Sequence, residues 1–143
     1  TQGPAAHSLR LLDSLRSPFI AALHVLRNIV ASQKEVCEKY KADFIPCSEA
    51  EKLGLAIETL GKLPINGLRH KSENGTCGWY IWCGEEMSQE TEFFKPLHVS
   101  HIKEYLPEIE QYLALPPGYR FLIADDYDYD YEDVWHDSSL TNM

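Results

Sequence analysis

The chain has 143 residues and 16.4 kDa, with 44% hydrophobic and 11% aromatic residues. That is enough for one domain with a real core, and it excludes disorder of the whole chain. Thirteen Lys and Arg face 22 Asp and Glu, a net charge of −9. The balance is +3 over residues 1–34 and −12 over the rest, a field that repels nucleic acid and draws in basic partners.

In chain order, Leu9, Leu11, Leu12 and Leu15 predict a short first helix. Ser17 and Pro18 then supply an N-cap and first turn for a second, whose Ile20, Leu23, Leu26 and Val30 share one face. Ser32 and Glu35 form a capping box for a third helical stretch ending near Tyr40. Residues 1–33 therefore read as a helical extension, with an acid-poor, Arg- and Ser-containing composition also seen in transit peptides. Asp43–Cys47 is a connector. Ser48 and Glu51 form a second capping box, and Leu53, Ala56, Ile57 and Leu60 predict a helix closed at Gly61.

Beyond Pro64 the period becomes extended. Ile65–Lys71 and Gly78–Cys83 flank Asn74-Gly75, a strong hairpin signal. Trp79, Ile81 and Cys83 share one strand face while Tyr80 and Trp82 share the other, so both faces are expected to be covered by protein or by a partner. One tryptophan is expected in the core and the other partly exposed. Glu85–Glu92 reads as a solvated acidic loop. Ser100 opens a helix carrying Ile102, Tyr105, Leu106, Ile109 and Leu113, interrupted at Pro107 and ended by Pro116-Pro117-Gly118. Tyr119–Ala124 and Asp133–His136 complete an antiparallel sheet of about four strands. The fold class is α+β.

Chemistry-bearing motifs are sparse. No Ser or Cys sits in a Gly-rich elbow, and no glycine-rich phosphate loop occurs. His70, Cys77, Cys83, His98 and His101 supply zinc-type ligands, but the spacings fit no finger or knuckle, so no metal or cofactor is expected. Cys37, Cys47, Cys77 and Cys83 read as reduced thiols of a cytoplasmic protein, a Cys77–Cys83 bridge being the lesser alternative. No apolar stretch is long enough to span a membrane. Arg69 and Arg120, cations beside apolar strands, are read as structural donors to internal carboxylates or carbonyls.

Residues 125–133 place six carboxylates and three tyrosines in nine positions: Asp125, Asp126, Tyr127, Asp128, Tyr129, Asp130, Tyr131, Glu132 and Asp133. Repulsion extends such a segment, acid steers and pairs with basic groups, and tyrosine gives contact area at modest entropic cost. Asp126, Asp128 and Asp130 alternate as in a calcium loop, but the turning glycine and distal Glu are missing.

Several strings together carry a resemblance. They are Leu63-Pro64-Ile65-Asn66-Gly67-Leu68-Arg69-His70, Gly78-Trp79-Tyr80-Ile81-Trp82, Phe93-Phe94-Lys95-Pro96-Leu97-His98, Leu115–Ala124 and Glu132-Asp133-Val134-Trp135. The chain resembles the Imm33-type (DUF2185-like) bacterial immunity family over roughly residues 34–140. The resemblance implies a compact α+β domain over 34–143, encoded beside a toxin gene of a polymorphic-toxin or secreted-effector system. Such a protein binds its toxin inside the producing cell and is not an enzyme. Here the link 125–131 is longer than the short turn of the family pattern. The expected contact residues are therefore Asp125–Asp133 and Trp135, joined by Glu85 and Glu86, facing a toxin with a basic surface. A homodimer through the N-terminal helices, a non-toxin interaction module and a small Cys/His metal enzyme are the alternatives.

Overall fold

A computed structural model describes the backbone of residues 18–125 and 130–142, with side chains from Arg27 onward apart from Asp125. The first predicted helix lies outside the described residues. Helix α1 spans Pro18–Lys39 without a break. The predicted restart at Ser32 does not occur, because neither Gly nor Pro interrupts residues 19–39 and a capping box acts only where the preceding backbone leaves the helix. Its last turns bury Val36 and Cys37, and Gln33 Nε2 donates to Glu110 O at 2.9 Å.

Among the described residues the sheet has six strands, not four: β1 (Lys52–Leu55), β2 (Ile65–Arg69), β3 (Thr76–Cys83), β4 (Lys95–His98), β5 (Tyr119–Asp125) and β6 (Asp130–His136). Their order is β4-β1-β3-β2-β5-β6. It is mixed rather than antiparallel, because β1 runs parallel to β3 while every other pair is antiparallel.

β1 stands where the sequence predicts its clearest helix. The capping box does close: Ser48 N–H donates to Glu51 Oε1 at 2.8 Å, and Ala50 N–H to Ser48 Oγ at 3.3 Å. It closes only a turn. Lys52 N–H then reaches Gly75 O at 3.0 Å and Ala56 N–H reaches Ile81 O at 2.9 Å, so distant strands claim the backbone. Leu53 and Leu55 point into the core with period two, and a Cβ on Gly54 would lie 2.8 Å from the Tyr80 ring. Helical geometry survives only in a single 3-10 turn, Ile57–Thr59.

The hairpin between β2 and β3 forms as predicted, with Asn74 and Gly75 both at positive φ. The helix predicted from Ser100 is instead two 3-10 segments, Val99–Glu104 and Pro107–Tyr112. Pro107 separates them, and its missing N–H costs nothing at a first turn. These segments and α1 cover one sheet face, closing over Leu55, Trp79, Ile81 and Phe121. Phe121 lies over Gly67, where a Cβ would come within 2.2 Å of its ring, and stacks on Tyr112 with centroids 4.8 Å apart.

The second face is sealed by Phe93 and Phe94, which pack with Tyr80, Leu68 and Trp82. Trp79 and Trp82 are therefore both buried, at 1% and 4% exposure, correcting the expectation that one lies partly at the surface. The 85–94 loop, read from its polar half, ends in the aromatic pair that covers the sheet.

Arg69 is 2% exposed and meets no carboxylate among the described residues. Its Nε donates to Cys77 O at 2.9 Å, and its Nη1 to Ile45 O and Leu115 O at 2.7 Å each and more weakly to Leu113 O at 3.4 Å. It thereby ties β2 to β3, to the 43–47 connector and to the segment leading into β5. Arg69→Met, which removes the donors but keeps the bulk, is expected to lower stability by about 2–4 kcal/mol in urea unfolding. Trp79→Ala, which also removes the Nε1 donor to Leu113 O, is expected to cost about 3–5 kcal/mol.

Candidate functional site

Register brings the two acidic segments to one end of the sheet. Ile65 pairs with Cys83 on one side and Ile123 on the other, and Ile123 pairs with Glu132. The loop leaving β3 after Cys83 and the link between β5 and β6 therefore emerge together, although some 40 residues separate them in sequence. Glu85 and Glu86 are exposed at this end.

Of the sequence-predicted contact residues, Asp126, Tyr127, Asp128 and Tyr129 lie outside the described residues. Asp125 closes the β5–β6 ladder opposite Asp130. β6 begins at Asp130, three residues earlier than predicted, so the second half of the acidic run is strand. Its alternation divides the residues. Asp130, Tyr131 and Asp133 are exposed, Tyr131 at 45%. Glu132 sits on the same face as the buried Val134. Trp135 is half-buried, with the Arg120 guanidinium 5.5 Å over its ring, and Arg120 Nη1 meets Asp137 Oδ2 at 3.2 Å.

Glu132 is an internal anchor. Lys39 Nζ donates to its Oε2 at 2.7 Å, the Tyr40 hydroxyl donates to the same oxygen, and the Tyr112 hydroxyl donates to Oε1. Burial raises the Glu132 pKa, but the donors from Lys39, Tyr112 and Tyr40 outweigh it and hold the carboxyl below the usual carboxylate range. Burial, then the Glu132 charge and hydrogen bond, push both tyrosines up. The carboxylate thus joins the end of α1, the second 3-10 segment and β6.

Beside it opens a cleft of about 330 Å³. Leu63, Ile65, Tyr112 and Ile123 give it apolar walls. Glu108, Asp130 and Glu132 bring carboxyl-bearing residues to it, and Tyr131 lies at its edge. Its volume is at the small end of roughly 300–1,000 Å³ for ligand sites, room for one side chain. Sequence reasoning missed Glu108, Tyr112, Lys39 and Tyr40, whose contribution comes from pairing across the fold. The inward turn of Glu132 was readable from alternation backward from Val134.

The other candidate chemistry is not assembled. Among the described residues no three His, Cys, Asp or Glu side chains are grouped to hold a metal ion. Cys77 and Cys83 sit six residues apart on one strand, about 20 Å at strand rise, and all four cysteines are free thiols. The Cys77 thiol is held below the usual thiol range, chiefly by its neighbour Cys47, against burial and with help from Trp79 N–H and Arg69. It is wholly buried, however, and its sulfur meets no solvent. Among the described residues no helix is long and apolar enough to cross a membrane.

The family model described as Imm33-like domain matches residues 32–137. The chain belongs to the Imm33-like family. This places it in an immunity-protein family, and the matched region starts inside α1 and holds all six strands. No curated protein and no solved structure matches the chain.

The Glu132 anchor gives the Imm33-like domain a defined acid response. A carboxyl with depressed folded pKa contributes stability above its unfolded value, about 4.3, and loses it as pH falls through the folded value. Glu132→Gln is expected to cost about 1–3 kcal/mol near pH 7 and to flatten the fall in Tm between about pH 5 and 2. Thermal melts of both chains across that range test this.

Proposed function

We propose that this Imm33-like chain is an immunity protein that binds a cognate bacterial toxin or effector and covers its active or substrate-binding surface. The contact is made by the acidic end of the sheet. One observation carries the reading: two acidic segments far apart in sequence leave the sheet at the same end, where Glu85, Glu86, Asp130, Tyr131 and Asp133 are exposed. Family membership supplies the class of partner.

The physics favours a toxin with a basic contact surface. Exposed carboxylates steer a basic partner into encounter and suppress acidic ones, while the phenol rings supply area once in contact. The negative surface occupies a site built for phosphates or any other cationic site. The chain acts by binding, with no catalytic step or cofactor, in the cytoplasm of the cell that makes the toxin. Asp126, Tyr127, Asp128 and Tyr129 extend the contact, whereas Glu132 and Trp135 support it from within.

The test is growth of cells expressing the product of the adjacent gene, with and without this chain. Arrest by the neighbour and rescue by the chain is the expected result. A toxic neighbour with no rescue rejects that pairing, and a neighbour that is expressed and harmless removes the toxin partner. With a pair in hand, Asp128, Asp130 and Asp133 all changed to Lys are expected to weaken binding at least about tenfold at low salt and to flatten its salt dependence. The Tm of that chain should change little, as Asp130 and Asp133 are exposed.

A further inference from the structure

We infer that the cleft between the second 3-10 segment and the β5–β6 end of the sheet receives one arginine side chain of the protein partner. The inference deepens the toxin-binding reading and rests on it for the partner. The cleft itself supplies the chemistry. Its apolar walls, Leu63, Ile65 and Ile123, suit the methylene stem of a long side chain, and Leu63 is 51% exposed at its mouth. Glu132 is already neutralised by Lys39 and held by the Tyr40 and Tyr112 hydroxyls, so it stiffens the cleft, and the charge open to a partner is that of Glu108 and Asp130. Glu108 and Asp130 are exposed, and neither takes part in an ion pair among the described residues.

Charge complementarity therefore excludes an acidic occupant and favours a cationic one over a plain apolar side chain. Arginine fits better than lysine. Its guanidinium is planar and weakly hydrated, and it addresses two carboxylates such as Glu108 and Asp130 at once. The ammonium of lysine is a compact, strongly hydrated charge that gains less from such walls.

The probe is N-acetyl-arginine methylamide, titrated into the 15N-labelled full chain, with the citrulline, lysine and norleucine analogues as controls. Saturable amide shifts at Ile65, Ile123 and Tyr131 are expected, with citrulline and norleucine weaker by at least about tenfold and lysine intermediate. Glu108→Gln combined with Asp130→Asn is expected to remove the arginine shifts and leave the remaining spectrum in place. Citrulline binding as well as arginine, lysine binding as tightly, shifts confined to another surface, or no shifts at all would each overturn the assignment.

The growth assay separates this inference from the one beneath it. If the Glu108→Gln, Asp130→Asn chain rescues as fully as the unaltered chain, the cleft is not the contact and the immunity reading stands. If arginine binds in the cleft but the unaltered chain never rescues, the toxin reading falls and the cleft chemistry stands.

Discussion

The fold depends on one buried cation. Among the described residues Arg69 lies in the core with no carboxylate to neutralise it, and its charge is stabilised by carbonyl dipoles from β3, the 43–47 connector and the approach to β5. A planar fork of donors reaches several segments at once, which an ammonium cannot. Leu113 O is shared further, accepting from Trp79 Nε1 at 2.9 Å and from Cys47 Sγ at 3.4 Å. Two irregular stretches whose backbones have no ladder of their own, the 43–47 connector and the approach to β5, are thus satisfied inside the protein. Leaving such carbonyls buried and unpaired is what the arrangement avoids.

That constraint reaches the acidic end through aromatic packing. Fixing Leu113 and Leu115 seats the Pro107–Tyr112 segment on the sheet, where Tyr112 stacks on Phe121 over the bare backbone of Gly67. The Tyr112 hydroxyl then meets Glu132, and Lys39 and Tyr40 reach it from the end of α1. A carboxylate inside the most acidic stretch of the chain thus has a structural role. Its neighbours Tyr131 and Asp133 face outward for the opposite reason, the two-residue period of a strand. The exposed Tyr131 and Asp133 are therefore backed by an ordered polar cluster.

The sequence was legible where local chemistry decides conformation. Asn74-Gly75 forces positive φ and makes its hairpin, Pro107 interrupts its helical stretch, and Gly118 turns the chain into β5 at φ 96°. It misled where a local signal lost to pairing at a distance. The Ser48–Glu51 box forms its hydrogen bonds, yet the residues beyond it join β3 and β4. Ser32 shows the converse, a capping pattern inside an uninterrupted helix. One of Trp79 and Trp82 was expected half-exposed because nothing in the alternation of β3 says that Phe93 and Phe94 fold over its second face.

Composition and order of residues by themselves determined the acidic field, the α+β character, the central hairpin and the family, because each is a sum over residues or a string read in place. Only the tertiary structure decided that β1 and β4 extend the sheet to six strands, and that Glu85–Glu86 and Asp130–Asp133 lie at the same end of it. It also decided which carboxylates face outward and which one is spent on Lys39, Tyr40 and Tyr112. The physical reason is the same in each case. Strand pairing and burial of charge are settled between segments far apart in the chain, and the free energy of either choice does not exist until those segments meet.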